Sequence, residues 1–301
     1  GCELGPRPID LHLAAIRALG GAVEGAEGGL RCSGRLRGAD IVLSLPSVGA
    51  TENAMLAAVS AHGDTTITNA AREPEIVDLQ NFLNTLGADV RGAGSSVITV
   101  RGGAPLHGGE YTVMGDRIVA ATYLAAAASA GGDIQLTGVD WRHLSTVTAV
   151  LREAGCAVES RAASIRLGCR GPLRGVPPVR TAPYPGFPTD AQAPLMAVMA
   201  KGSGCTVFVE NIFESRYRHV DELTRMGADI RVEGRVAVVY GVPRLHGAKV
   251  QAADLRGGAA LVVAALGAEG RTAVSGVRHI DRGYQSLEGD LSALGASIRR
   301  I

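Results

Sequence analysis

The chain has 301 residues, of which 46% are apolar, and its 30 basic and 29 acidic residues leave a formal net charge of +1. This length and composition are typical of a globular protein with two domains, and the small net charge argues against nucleic acid or an anionic membrane as a partner. Five cysteines without metal-ligand spacing argue against a zinc site and a disulfide framework, and they favour a reducing, cytoplasmic location.

A motif close to Leu-Gly-Ala, followed by a β-branched residue, recurs at the ends of the predicted amphipathic helices. Its five glycines are Gly20, Gly87, Gly155, Gly227 and Gly295, at spacings of 67, 68, 72 and 68 residues. One helix shows the pattern well, because Ile76, Leu79 and Leu83 form an apolar face and Pro74 suits the first turn. Glycine then allows the left-handed conformation that ends a helix. The sequence therefore predicts a repeated unit of roughly 70 residues.

A second set of helices is rich in alanine and almost free of charge after the first turn. These helices are predicted at residues 50–62, 116–130, 190–201 and 255–265. A helix that is apolar on all sides has no face for solvent, so we expect each at the centre of its domain, with strands and amphipathic helices around it. One unit reads strand, helix, strand, strand, strand, helix, which predicts an α/β protein.

The start of the chain holds an incomplete unit. Only about 20 residues precede Gly20, where a full unit needs another strand and helix, so the period predicts that the chain belongs to a larger repeat protein. A new unit begins at Gly115-Asp116-Arg117, and we expect a domain boundary there. The predicted domains are residues 1–114, of which the N-terminal part is missing, and residues 115–301.

Polar residues gather at the starts of the apolar helices. A helix start offers unpaired N–H groups and the positive end of the helix dipole, so Ser47-Val48-Gly49 is suited to bind a phosphate. Asp116, Asp190 and Asp254 stand at the other three starts, where a helix N-cap is an equally good explanation. The prolines of residues 183–188 stiffen the approach to Asp190, which makes this carboxylate a candidate general base.

Arginine and cysteine side chains add to the candidate site. Four arginines lie in loops or beside a helix start: Arg7, Arg216, Arg256 and Arg282. The planar fork of arginine matches carboxylate and phosphate groups, so these side chains would together bind a small polyanion. Cys2 lies in a glycine-rich loop near Arg7, which favours its thiolate. The other cysteines are interpreted as small apolar residues: Cys32, Cys156, Cys169 and Cys205.

Six segments carry motifs of a known family: residues 1–12, 46–51, 69–75, 187–190, 254–256 and 279–284. Together they resemble the UDP-N-acetylglucosamine 1-carboxyvinyltransferase family of enolpyruvyl transferases, and the resemblance covers the whole chain. It implies an inside-out α/β barrel of two domains, built from repeated βαβαββ units with buried alanine-rich helices. Residues 1–114 would then form part of the nucleotide-sugar side, and residues 115–301 the second enolpyruvyl transferase domain.

The resemblance also implies an activity. Members of the family transfer the enolpyruvyl group of phosphoenolpyruvate to the 3′-hydroxyl of UDP-N-acetylglucosamine, and phosphate leaves from a tetrahedral intermediate. This is the first committed step of peptidoglycan precursor synthesis, so the implied roles are cell wall biogenesis, cell shape, cell cycle and cell division. The expected partners are these two substrates, without nucleic acid, membrane, cofactor or metal, and the oligomeric state stays open.

The resemblance assigns roles to residues of this chain. Asp190 matches the base that takes the hydroxyl proton, and Cys2 matches the general acid that forms a phosphoenolpyruvate adduct and reacts with fosfomycin. Arg282, the third catalytic residue, and Arg256 match arginines around phosphoenolpyruvate, and Arg216 matches a substrate-binding position. Further positions match contacts to the uridine, diphosphate or sugar: Arg7, Pro8, Ile9, Asp10, Leu11, Pro46, Ser47, Val48, Gly49 and Ile212.

One departure and two alternatives remain at this stage. Family members carry an N-terminal segment with a Lys-Asn pair and a further arginine, and these 301 residues hold no counterpart, so we expect little activity if they are the whole polypeptide. The alternatives are a sister enzyme that transfers enolpyruvyl to shikimate 3-phosphate and an inactive remnant that binds nucleotide sugar. The Cys2 loop and the run from Arg7 to His12 favour the nucleotide sugar.

Overall fold

Helices and short strands alternate along residues 8–301, which is the part of the chain that the computed structural model describes. These residues divide into two units. The first unit comprises residues 8–114 and 183–185, and the second unit comprises residues 115–182 and 186–301. Within the described residues, none of the helices combines the length and the apolar character that a bilayer span requires.

The first unit combines helices with a hairpin and a mixed sheet. Its described helices are α1 (Asp10–Ala18), α2 (Val48–Val59) and α3 (Pro74–Thr85). Its strands are β1 (Ala22–Ala26), β2 (Gly29–Ser33), β3 (Asp40–Val42), β4 (Gly63–Thr68), β5 (Asp89–Arg91) and β6 (Val97–Gly102). Strands β1 and β2 form an antiparallel hairpin, and the others form a sheet of order β3-β4-β6-β5.

The second unit has the same kinds of element. Its helices are α4 (Arg117–Ala130), α5 (Ser145–Glu153), α6 (Thr189–Met199), α7 (Val220–Arg225), α8 (Leu255–Leu266) and α9 (Leu287–Ala293). Its strands are β7 (Asp133–Thr137), β8 (Ala157–Arg161), β9 (Ser164–Gly168), β10 (Val179–Arg180), β11 (Cys205–Val209), β12 (Asp229–Glu233), β13 (Val236–Tyr240), β14 (Lys249–Gln251) and β15 (Ala273–Ser275). They form sheets of order β7-β9-β8, β10-β11-β13-β12 and β14-β15.

The glycines of the repeated motif end five amphipathic helices, as predicted. Helices α1, α3, α5, α7 and α9 each end two residues before one of these glycines. The φ angles of Gly20, Gly87, Gly155, Gly227 and Gly295 are 85°, 95°, 108°, 90° and 99°. A side chain with a Cβ is strained in this left-handed region, which explains why glycine recurs at the position.

Two parts of the chain repeat the same order of elements. In the first unit β3, α2 and β4 form a parallel crossover, and α3 and the antiparallel strands β5 and β6 follow. In the second unit β10, α6 and β11 form the same crossover, followed by α7, β12 and β13. The corresponding sheets have matching strand orders. The βαβαββ repeat is therefore confirmed.

The alanine-rich helices α4, α6 and α8 pack against one another in the core of the second unit. Every residue of α6 from position 191 to 199 is buried. Their small side chains allow close approach, because a Cβ on Gly267 would lie only 2.5 Å from the Ser129 Oγ. The predicted central position of these three helices is correct.

Helix α2 departs from the expectation that all four apolar helices lack a solvent face. Helices α1 and α3 and strands β4, β5 and β6 pack against it, and Ala50, Ala54 and Ala58 are buried. Leu56 of the same helix is nevertheless 47% exposed. An apolar composition therefore did not by itself ensure burial of the whole helix.

The four cysteines interpreted as small apolar residues fall into two classes. Cys156 and Cys169 are buried in the core of the second unit, whereas Cys32 and Cys205 are exposed. Cys32 belongs to the β1-β2 hairpin, in which all the side chains of β2 are exposed. The interpretation is therefore correct for the buried pair and wrong for the exposed pair.

Candidate active site

The start of α6 determines the position of Asp190 in the second unit. Pro188 precedes the helix in an extended conformation, with φ −71° and ψ 130°, which its ring favours, and it provides no side-chain cap. Asp190 lies in the first turn of the helix, one residue beyond Thr189, and not at the N-cap position. The capping explanation that the sequence left open for Asp190 is therefore excluded.

Two arginines hold the Asp190 carboxylate. Its Oδ1 accepts a hydrogen bond from Arg216 Nη2 at 2.6 Å, and its Oδ2 lies 3.2 Å from Arg256 Nε and 3.1 Å from Arg256 Nη2. The side chains of Arg216 and Arg256 are 3% and 12% exposed, whereas that of Asp190 is 37% exposed. The carboxylate thus bridges a buried cation and a nearly buried one, and it remains accessible to solvent.

The surrounding charges set the protonation state of Asp190. Burial acts to raise the pKa of its carboxyl group, but the guanidinium groups of Arg216 and Arg256 outweigh this effect and hold the pKa below its ordinary value. Burial acts to lower the pKa of Arg256, but the negative charge of Asp190 and the interaction with Tyr284 outweigh this effect and raise the pKa. Asp190 is therefore ionised at neutral pH.

Arg256 is oriented by its own helix and by Tyr284. Asp254 is 2% exposed and caps α8, since its carboxylate accepts from the N–H groups of Arg256 at 3.0 Å and Gly257 at 2.8 Å. Arg256 Nη1 donates to the Tyr284 hydroxyl at 3.1 Å, and the Tyr284 and Thr122 hydroxyls share a hydrogen bond of 2.8 Å. Thr122 of α4 thus helps, through Tyr284, to hold the guanidinium of Arg256 on α8.

Arg216 lies in the loop between β11 and α7. Its Nη2 also donates to the Thr189 carbonyl at 3.2 Å, and its guanidinium carbon lies 5.4 Å from the centre of the Phe213 ring. Ile212 in the same loop is 40% exposed, and its N–H donates to Glu210 Oε1 at 2.8 Å. The loop therefore supplies a buried cation and an exposed apolar side chain to the region around the start of α6.

Arg282 lies in a turn between a 3-10 helix, Val277–His279, and α9. Its side chain is exposed on the second unit. Among the site residues predicted for this unit, Arg216 and Arg256 both contact Asp190 directly. Ile212 lies in the loop that carries Arg216, and Arg282 lies on the exposed turn.

Two helix starts of the first unit carry the predicted nucleotide-binding residues. Pro8 and Ile9 precede α1, and Asp10 and Leu11 are its first residues. The corresponding residues of α2 are Pro46 and Ser47 before the helix and Val48 and Gly49 within it, and all four are half-buried. Ile9 is 47% exposed, whereas Leu11 packs against the core of this unit.

The starts of α1 and α2 are neighbours. A Cβ on Gly49 would lie 3.1 Å from His12 Cε1, and His12 Nδ1 forms a hydrogen bond with Asn53 Nδ2. Ser47 is the N-cap of α2, because its Oγ accepts from the Ala50 N–H at 3.4 Å. Ser47 therefore caps α2. The start of this helix is half-buried, and its first N–H groups have no acceptor within the helix.

Cys2 and Arg7 lie outside the described residues, so their assigned roles stay predictions. Sequence reasoning missed the groups that orient the charged side chains, namely Thr122, Glu210 and Tyr284. Thr122 and Glu210 could have been noticed as polar residues inside apolar segments, and Tyr284 as the aromatic residue that ends the 279–284 motif. Within residues 8–301, no cluster of three or more His, Cys, Asp or Glu side chains is suited to hold a metal ion.

The comparisons identify the class of protein. The sequence model of the EPSP synthase family, described as 3-phosphoshikimate 1-carboxyvinyltransferase, matches residues 1–291. The structure resembles the enolpyruvyl transferase NikO from Streptomyces tendae, with a TM-score of 0.87 and 28% identity, over 97% of this chain and 72% of that one. EPSP synthase from Acinetobacter baumannii, at 21% identity and a TM-score of 0.75, shares the fold over 99% of this chain and 73% of that one. The chain belongs to this family of enolpyruvyl transferases.

Relatives within the family carry a more specific name. The chain is 52% identical to UDP-N-acetylglucosamine 1-carboxyvinyltransferase 2 of Caldanaerobacter subterraneus subsp. tengcongensis, over all of this chain and 72% of that protein. It is 51% identical to UDP-N-acetylglucosamine 1-carboxyvinyltransferase of Zymomonas mobilis, over all of this chain and 71% of that protein. The family resemblance and the inside-out α/β fold predicted from sequence motifs are therefore confirmed.

Replacing Asp190 with asparagine tests the electrostatic arrangement. Because the pKa of Asp190 is depressed in the folded state, its carboxylate adds stability above the ordinary aspartate pKa of 3.8, and this stability is lost as the pH falls. Asp190→Asn should lower the free energy of unfolding at pH 7 by about 2 kcal/mol, less than for a fully buried ion pair because the carboxylate is partly exposed. In urea unfolding the difference from the unmodified protein should shrink on acidification below that pKa.

Asp281→Asn is the matched control. Asp281 also lies 2.6 Å from an arginine, Arg300, but that arginine is 49% exposed. Exposed pairs contribute little because water screens them, so this variant should lose much less stability at pH 7. Equal losses in the two variants would contradict the assigned electrostatic role of Asp190.

Proposed function

We propose that this chain transfers the enolpyruvyl group of phosphoenolpyruvate to the 3′-hydroxyl of UDP-N-acetylglucosamine and releases phosphate. The observation that carries the proposal is the ionised Asp190 carboxylate between two nearly buried arginines, in a chain that matches enzymes of that name along its whole length. A proton acceptor and cationic forks in one place suit a reaction between a hydroxyl group and an anionic phosphate ester.

In the proposed reaction, Asp190 takes the proton of the sugar hydroxyl. While both arginines contact the carboxylate, its pKa is low and it is a weak base. A substrate phosphate or carboxylate that binds the Arg256 fork competes for the same donors, weakens their contacts to Asp190 and raises its basicity. Binding of the anionic substrate would thus activate the base, and the same guanidinium groups would stabilise charge that develops in the transition state.

The first unit would bind the nucleotide sugar. The neighbouring starts of α1 and α2 supply backbone N–H groups and the positive ends of two helix dipoles, which favour the diphosphate. Residues 8–11 and 46–49 would contact the uridine and diphosphate, together with Arg7, and Ile212 of the second unit would contact the sugar. Arg282, Arg256 and Arg216 would contact phosphoenolpyruvate.

Cys2 would act as the general acid toward the methylene carbon and as the site of the phosphoenolpyruvate adduct and of fosfomycin. This part of the proposal rests on the sequence match around residues 1–12. The proposed reaction is the first committed step of peptidoglycan precursor synthesis in the cytoplasm. It would connect the protein to cell wall biogenesis, cell shape, the cell cycle and cell division, without a cofactor.

Phosphate release tests the proposed reaction. Mixing the protein with phosphoenolpyruvate and UDP-N-acetylglucosamine should release phosphate, whereas shikimate 3-phosphate as the acceptor should not. Asp190→Asn should lower kcat about 100-fold or more because the base is lost, and Asp133→Asn, which removes an exposed ion pair with Arg166, should leave it unchanged. Release with shikimate 3-phosphate alone would replace the proposed acceptor. Binding of the nucleotide sugar without release from any acceptor would indicate an inactive binding protein.

Fosfomycin tests the role of Cys2. Incubation should inactivate the protein and add the mass of the drug to the peptide that contains residue 2, because the Cys2 thiolate opens the epoxide. Cys2→Ala should abolish both effects. Cys32→Ala is the matched control, since Cys32 is also an exposed thiol. Modification that persists in Cys2→Ala would refute the assignment.

A further inference from the structure

Two buried cysteines lie opposite each other at one end of the β8-β9 hairpin. The antiparallel register pairs Ala157 with Gly168, and its next step pairs Cys156 with Cys169. Cys156 is 5% exposed and Cys169 is 1% exposed, and both thiols are free. The proposed reaction uses neither of them.

The backbone gives this pair the geometry of a disulfide site. The N–H of Cys169 donates to the Gly132 carbonyl at 2.9 Å, and that of Cys156 donates to the Leu151 carbonyl at 3.0 Å. The two cysteines therefore form no backbone hydrogen bond through their N–H groups. This is the arrangement of a non-hydrogen-bonded pair in antiparallel strands. In such pairs the Cα atoms are about 4.5 Å apart, which lies within the range that a disulfide spans without backbone movement.

The two thiols also differ in acidity. The hydrogen bond from Cys156 lowers the pKa of Cys169 and outweighs its burial, and the positive charge of Lys201 acts in the same direction. The hydrogen bond to Cys169 and burial both raise the pKa of Cys156. These effects favour loss of the proton from Cys169 before Cys156, and Cys156 is the neighbour placed to react with an oxidised Cys169 sulfur.

We propose that Cys156 and Cys169 form a reversible dithiol–disulfide pair that a peroxide oxidises. The Cys169 thiolate attacks one peroxide oxygen, the O–O bond breaks, and a sulfenic acid and water form after proton transfer. The Cys156 sulfur then attacks the sulfenic sulfur, the S–S bond forms, and a second water leaves. Two thiols thereby lose two electrons and reduce one hydrogen peroxide to two waters, and an added dithiol reverses the change.

Peptide mapping of the intact protein tests this pair. After hydrogen peroxide, alkylation and digestion, we expect the Cys156 and Cys169 peptides to be linked, with a mass lower by two hydrogen atoms than the sum of the thiol forms. Dithiothreitol should abolish the link. The exposed Cys32 and Cys205 serve as internal controls and should remain alkylatable as separate peptides at the lowest peroxide dose that links the pair.

Single variants test the order of the steps. In Cys156→Ser, Cys169 should stop at the sulfenic acid and be captured by dimedone, whereas Cys169→Ser should give much less capture at position 156. The proposal is overturned if both buried thiols stay reduced at peroxide doses that oxidise Cys32 and Cys205. Exclusive pairing of either cysteine with another partner would also overturn it.

A different observation concerns Glu210, which follows β11 and is 1% exposed. Its Oε1 accepts from the Thr181 hydroxyl at 3.0 Å and from the N–H groups of Ile212 at 2.8 Å and Phe213 at 3.0 Å. Its Oε2 accepts from the Thr189 hydroxyl at 2.9 Å. One buried carboxylate therefore joins the end of β10, the start of α6 and the loop after β11.

These contacts connect two parts of the candidate site. Thr189 immediately precedes Asp190, and Ile212 is the residue expected to contact the sugar. A shift of Glu210 would change the separation of these two positions, because its carboxylate accepts from the Thr189 hydroxyl on one side and from the Ile212 N–H on the other. On the basis of the proposed function, we infer that Glu210 is a positioning residue, which sets the sugar hydroxyl relative to the base without touching either.

The kinetics of Glu210 variants test this role. Glu210→Ala should lower kcat/KM for UDP-N-acetylglucosamine about 100-fold, the scale expected for small misplacements of reacting groups. The KM for phosphoenolpyruvate should change less than the KM for the nucleotide sugar, because the contacts of Arg256 with Asp254 and Tyr284 remain. Glu210→Gln should restore most of the activity, since its amide oxygen can accept the same three bonds and its amide nitrogen can donate to Thr189.

Thr206→Val is the matched control for loss of a buried hydrogen bond. Thr206 is 1% exposed, and its hydroxyl accepts from the Val176 N–H at 3.0 Å in the same unit. This variant should lower Tm and leave the kinetic constants unchanged. If the unmodified protein is active and Glu210→Ala behaves kinetically like Thr206→Val, the positioning role fails while the proposed function stands. An unmodified protein that transfers nothing to the nucleotide sugar overturns both.

Discussion

The packing of α4, α6 and α8 determines where charge can lie in the second unit. These helices are buried along most of their length, so an ionisable side chain in their middle would lose its hydration without a partner. The charged residues are instead found in the first turns and caps, as Asp190 and Arg256 show. Because α6 and α8 pack together, their starts bring a carboxylate and a guanidinium into contact.

The carboxylate of Asp190 also explains how two arginines can be nearly buried side by side. Arg216 and Arg256 repel each other, and their burial is costly unless a negative charge compensates for both. Asp190 supplies that charge, and its own pKa falls as a consequence. In the proposed reaction a substrate anion would take over part of this compensation. Without substrate, Asp190 would be paired with both arginines. With the anion bound, these contacts would weaken and Asp190 would be free to act as a base.

The fold could be predicted to a large extent because its signals are local. Gly155 ends a helix in the left-handed conformation whatever surrounds it, and the same rule applies to the other four copies. Other contacts gave no local signal. A Cβ on Gly247 would lie 2.4 Å from the Arg271 carbonyl, because the strands β14 and β15 bring these two segments together. The exposure of Leu56 on α2 likewise depends on which elements pack beside that helix.

The sequence by itself determined the repeat, the α/β class, the central helices of the second unit and the residue types of the candidate site. These depend on helical period, glycine conformation and motifs, which neighbouring residues carry. Only the tertiary structure decided that Asp190 binds two arginines and does not cap its helix, that Glu210 joins three segments, and that Cys156 faces Cys169. The reason is that each of these contacts joins residues that are distant in sequence, so its geometry is set by how whole helices and strands pack.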